Sequence, residues 1–138
     1  MNSEHTLRRV VTGHDAQGKS IIALDDTPAT AAPGGTEDTR VLTEVWATTS
    51  PTGASAFRVV DMPAGSRREM HRTDSVDYGI VLAGEIYLLL EREETKLCTG
   101  DVVIQRGTSH AWHNRSDRVA RMAFINLSGP ITDERQFP

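Results

Sequence analysis

The feature that most constrains this chain is a succession of short apolar runs between residues 70 and 128. "DYGIVLAG" turns at Ala83-Gly84 into "EIYLLLE". A charged "REET" follows, then "KLCTGDVVIQRG", "HAWHN", a polar "RSDR" and "VARMAFINL". The runs are strand-sized and bounded by glycine or polar clusters. No window of a dozen residues holds apolar positions at a 3.6-residue spacing, so no helix is expected. Many short strands separated by turns indicate a sandwich or a barrel, because each apolar sheet face needs another to cover it.

The same pattern extends upstream. In "RRVVTGHDAQGKSIIALDD" two β-branched runs, Val10-Val11 and Ile21-Ile22, flank a turn with Gly13, Asp15 and Gly18. This predicts an N-terminal β-hairpin within residues 1–26. "TPATAAPGGTEDT", 27–39, reads as a loop. "RVLTEVWATT" and "AFRVVDM" are further strands around the turn "SPTGAS", so the barrel core is placed at 40–128 and a polar tail at 129–138. The whole, 1–138, reads as a single domain with room for one core.

Bulk properties exclude several functions. A net charge of −4 gives no basic excess for nucleic acid. The longest apolar stretches, such as "IYLLL", are too short to cross a bilayer, so no membrane partner is expected. Arg8-Arg9 leads into "VVTGHDAQGK", which is not an export signal, and no apolar leader precedes it. The single cysteine, Cys98, permits no internal disulfide and reads as a buried, inert thiol. A cytoplasmic protein is the expectation.

Chemistry-bearing residues concentrate in two places. "MHRTDSVDYGIVLAGE", 70–85, carries His71 and Asp77, and "SHAWHN" carries His110. Strand alternation puts Glu69, His71 and Thr73 on one face, and likewise His110, Trp112 and Asn114. A barrel could therefore gather His71, Asp77 and His110 inside, and two imidazoles with one carboxylate are a common set for a divalent metal with open positions. Glu69 could assist as a base. Trp112 could wall a pocket, with Tyr87 a weaker candidate beside it.

These residues resemble the cupin family. Gly65, His71, Asp77 and Gly84 follow the first cupin motif, a glycine–HxH–glutamate–glycine pattern. Gly100, Gly107, His110 and Asn114 follow the second, a glycine–PxG–histidine–asparagine pattern. Thr73 stands where the motif has its second histidine, Asp77 where it has glutamate, and Gln105 where it has proline. The resemblance spans roughly residues 7–128 and is closest to small single-domain cupins. It implies an all-β, double-stranded jelly-roll β-barrel, often a homodimer, holding a metal or a small-molecule substrate. Carried over, His71, Asp77 and His110 are the expected metal ligands and catalytic residues, with zinc, iron, manganese or nickel as the ion. Glu69, Thr73, Tyr87 and Trp112 are the expected substrate pocket. The association of such cupins with dehydratase, decarboxylase or isomerase steps implies a lyase-type enzyme. A non-haem Fe(II) dioxygenase and a non-catalytic small-molecule binder are the alternatives.

Overall fold

A computed structural model describes residues 6–32 and 38–129, and twelve strands run through them with no helix. The alternating runs account for this directly. In the strand Val76–Ala83, for example, Asp77, Gly79 and Val81 are buried, while Tyr78, Ile80 and Leu82 are exposed. One face of each such strand packs inward and the other faces outward.

The N-terminal hairpin pairs β1 (Arg9–His14) with β2 (Ser20–Asp26) as a sheet of its own. Its turn is closed by the Asp15 carboxylate, which accepts from the Gln17 and Lys19 amides. Ion pairs Arg8–Asp25 and Arg9–Asp26 lie across the strands, and Arg9 also donates to the Val45 carbonyl. Val10, Ile21, Ile22 and Leu24 nevertheless remain exposed.

The body consists of two facing sheets. The larger has the order β10 (Val102–Arg106), β7 (Val76–Ala83), β12 (Ala120–Ser128), β5 (Gly53–Met62), β4 (Val41–Ser50) and β3 (Thr30–Ala31). The smaller has the order β6 (Arg67–His71), β11 (His110–His113), β8 (Glu85–Leu89) and β9 (Glu94–Cys98). This is a jelly-roll sandwich rather than one continuous closed barrel. Two details depart from expectation. The stretch read as a loop at 27–39 supplies β3, an edge strand on β4 that its Pro- and Gly-rich surroundings conceal. "KLCTGDVVIQRG" divides into β9 and β10, which belong to opposite sheets, around Gly100. The expected tail lies outside the described residues beyond 129.

Between the sheets lie Val60, Met62, Val81, Ile86, Leu88, Trp112, Ala120 and Met122, all buried. A glycine corner and a buried side-chain amide hold the sheets in place. Gly84 has a φ of 76° where the chain leaves β7 for β8, and a Cβ there would stand 2.6 Å from the Val119 carbonyl oxygen. Only glycine fits that corner. Asn114 is fully buried, and its side-chain nitrogen donates to the carbonyls of Met62, Pro63 and Arg118 while its oxygen accepts from Ser116. It ties the end of β11 to the end of β5 and to the approach to β12. Cys98 is exposed, because alternation on edge strand β9 turns Leu97 inward and Cys98 outward.

Candidate active site

His71 ends β6 and His110 begins β11, and the two are directly paired across the ladder. Their ring centroids are 4.4 Å apart with the planes inclined at 57°. Each ring is fixed by the backbone of its own strand: His71 Nδ1–H donates to the Glu69 carbonyl and His110 Nδ1–H to the Thr108 carbonyl, both at 2.8 Å. A proton on Nδ1 leaves the Nε2 lone pair of each neutral ring available. Burial is the main cause that lowers the His71 pKa below the ordinary imidazole value; the Glu69 carbonyl opposes it, and the neighbouring His110, Arg68 and Arg40 add to it. His71 is thus held neutral near pH 7, as a base or a ligand must be.

Asp77 faces the same cavity from the other sheet and is almost wholly buried. Ser75 donates to its Oδ1 at 2.5 Å and Thr73 to its Oδ2 at 3.4 Å. The carboxylate is therefore already supplied with hydrogen bonds. Trp112 packs edge-on against His110, with centroids 6.0 Å apart, and against Phe124 at 5.7 Å. Gly79 makes room for Phe124, since a Cβ on it would meet the ring at 2.8 Å. The cavity has a volume of about 260 Å³, and Leu42, Val60 and Met62 complete its apolar wall.

Two expected pocket residues lie elsewhere. Between His110 and Trp112 the β11 strand advances two residues while its β6 partners, His71 and Arg68, are three apart. β6 therefore carries one extra residue, a bulge that changes the phase of alternation. Arg68 takes the inward position and Glu69 is turned outward, contributing only its carbonyl to the site. Tyr87 also points away from the cavity and lies beneath Arg115, 4.1 Å from the guanidinium carbon. The lining includes Arg40, Arg58 and Asn126, none of which the motifs indicate. A signal for Arg58 and Asn126 was present, since each falls on the core phase of an otherwise apolar strand.

Among the described residues, no three His, Cys, Asp or Glu side chains come together as a metal-ligand group. The His71–His110 pair fits a divalent ion as two imidazole ligands, whereas Asp77 shares the cavity without joining them. The donor set matches such an ion in part.

A family model described as "Cupin domain" matches residues 58–126, which span both sheets and every residue of the histidine pair. The chain belongs to the cupin family. It is 36% identical to phomopsin biosynthesis cluster protein D of Diaporthe leptostromiformis, with 88% of this chain and 78% of that protein covered. It is also 30% identical to the cupin-domain-containing oxidoreductase virC of Hypocrea virens, covering 77% and 66% of the two chains. Among solved structures, the cupin domain of Schizosaccharomyces pombe Cnp3 superposes with a TM-score of 0.58 at 17% identity, covering 88% of this chain and 83% of that one. An RmlC-like cupin from Shewanella frigidimarina gives 0.60 at 10% identity, covering 75% and 86%. At these identities the structural likeness concerns the fold.

Proposed function

We propose that this cupin is a small-molecule-modifying enzyme of the oxidoreductase class, with His71 and His110 as its reactive pair. The observation that carries this reading is the pair itself: two imidazoles at 4.4 Å, both oriented by backbone carbonyls, in a cavity with an apolar wall. Surface histidines need no such orientation. The names of relatives, cupin-domain-containing oxidoreductases and biosynthesis cluster proteins, favour oxidoreduction over the lyase chemistry that the resemblance to small cupins implies. A cavity of about 260 Å³ suits a substrate of about nine water volumes, at roughly 30 Å³ each.

In this reading His71, kept neutral by burial, accepts a proton from the substrate at Nε2. His110 orients the reacting group from the adjacent strand, and Trp112 excludes water beside it. Two histidines move protons and not electrons, so a divalent ion, if held by the pair, would supply Lewis acidity or, as Fe(II), the redox chemistry, with dioxygen as the acceptor of the substrate's electrons. Asp77 is proposed to position the substrate or complete such a site, supported by Thr73. We propose a cytoplasmic location as well. In keeping with the fold, no described helix is long and apolar enough to cross a membrane.

The test is turnover and metal content measured side by side. His71→Ala and His110→Ala are expected to lower turnover about 10²–10⁴-fold, the usual worth of acid–base groups, while unfolding cooperatively. Fe²⁺, Mn²⁺, Ni²⁺ and Zn²⁺ should raise the thermal midpoint of the wild type and not of a variant carrying both substitutions. Small-molecule binding without conversion, unchanged by aerobic incubation with each metal, would instead identify a non-catalytic binder.

We further propose a homodimer through the outer face of the larger sheet. Ile104, Tyr78, Ile125, Phe57 and Trp46 form one cross-strand row over five strands, and all five are exposed. Contiguous apolar surface of this kind favours a partner. Light scattering should give twice the chain mass for the wild type and the single mass for Phe57→Glu; a monomeric wild type defeats the proposal.

A further inference from the structure

The charges around the cavity are unequal. Three guanidinium groups line it, from Arg40, Arg58 and Arg68, against one carboxylate, Asp77. Two of the three are already matched. Arg40 forms a two-pronged pair with Asp38 at 2.9 and 2.7 Å. Arg58 donates to Glu44 at 2.6 Å and to Asn126 at 3.3 Å. Arg68 has no hydrogen bond or ion pair with any described residue, although it is half-buried and occupies the bulged position beside His71. The Asp38 carboxylate acts on Arg68 electrostatically but accepts its side-chain hydrogen bonds from Arg40, so among the described residues the Arg68 donors are unshared, and their planar fork fits a carboxylate in two places at once.

We propose that the cavity binds a small monocarboxylate, its anionic group on Arg68 and its apolar body against Trp112 and Phe124. This names the substrate class for the site proposed above and rests on that cavity being the substrate site. The choice of a monoanion follows from the pairing. One open guanidinium neutralises one negative charge, whereas a phosphate dianion would require Arg40 or Arg58 to give up its carboxylate. The apolar wall of Leu42, Val60, Met62, Trp112 and Phe124 likewise suits a hydrocarbon or single-ring body rather than a polyhydroxylated one. A carboxylate held there lies on the same strand as His71, three residues away. The atoms next to the carboxylate are then the ones that meet the histidine pair.

Binding alone tests this, independently of turnover. Benzoate, benzamide and phenyl phosphate are titrated by calorimetry into the intact protein at constant ionic strength. The expected order is benzoate strongest, with benzamide and phenyl phosphate each at least about tenfold weaker. Arg68→Gln should weaken benzoate at least about tenfold and leave benzamide unchanged, while Arg68→Lys recovers part of the loss. Arg67→Gln, on the outward side of the same strand, should bind benzoate like the wild type. Equal affinity for benzoate and benzamide, or undiminished benzoate binding by Arg68→Gln, overturns the proposal. Tighter binding of phenyl phosphate overturns the monocarboxylate class. His110→Ala separates the two readings. If it retains benzoate binding but the wild type converts no substrate, the catalytic reading fails and the anion site stands.

Discussion

The two ends of the space between the sheets are built from the same strands and have opposite characters. Along β5 the inward residues are Arg58, Val60 and Met62; along β12 they are Asn126, Phe124, Met122 and Ala120; along β7 they are Asp77, Gly79 and Val81. Each strand passes from a polar residue at the site end to an apolar one at the far end. Met122 and Ala120 are fully buried there, with Val81 and Ile86 beside them. The far end is a dry core that fixes the spacing of the sheets. The site end keeps an open cavity whose polar groups contribute chemistry and little stability. A jelly roll can carry such a site because one half of its interior suffices to hold it together.

This division gives the largest expected effect to a residue that never meets a ligand. Met122→Ala should lower stability by about 2–5 kcal/mol, the usual cost of a cavity in a packed core. It should leave ligand binding by the molecules that remain folded within about twofold. Denaturant unfolding and benzoate titration on the same preparation check both statements. The counterpart at the site end is Asn126→Leu. It removes one long hydrogen bond to Arg58, which keeps Glu44, and stability should change by less than about 1 kcal/mol. If Asn126→Leu proved as damaging as Met122→Ala, the two ends would share the structural load and the division would be wrong.

The contrast also explains what was legible in the sequence. The strands were readable because their periodicity is set by burial of one face. The motif glycines were readable because Gly65, Gly84, Gly100 and Gly107 all adopt positive φ, where a side chain is strained. His71 and His110 could be placed together for the same reasons. Arg68 could not. Its inward position depends on one additional residue in edge strand β6, and simple alternation assigns that place to Glu69. Tyr87 was expected in the pocket but stands on the outward face of β8, whose inward residues are Ile86 and Leu88, and its ring is covered there by Arg115. Where Asp77 stands relative to the histidines depends on the separation of two sheets, a distance no local pattern encodes.

The smallest effect concerns protons and compares the inner and outer faces of the smaller sheet. His71 faces the cavity and His113 the outer surface, yet burial is the leading cause lowering the pKa of both. For His113 the adjacent Arg67 and Arg115 reinforce it and Glu94 opposes it. A histidine whose pKa is depressed on folding binds its proton more readily in the unfolded chain. Stability is therefore at its full value above the unfolded imidazole pKa of about 6.5 and falls as the pH drops through that value toward the folded one. The carboxylates lowered by ion pairing, Asp25, Asp26, Asp38 and Glu94, act in the same direction but at more acidic pH. Between about pH 7 and 5.5 the slope therefore belongs to the histidines. Unfolding free energies of chelator-treated protein should decline over that interval, and His71→Asn and His113→Asn should each flatten the decline. Benzoate on Arg68 should reduce the contribution of His71 alone, because an anion beside that ring favours its protonated form. A slope that His71→Asn leaves untouched would place this imidazole in water rather than in the wall of the cavity.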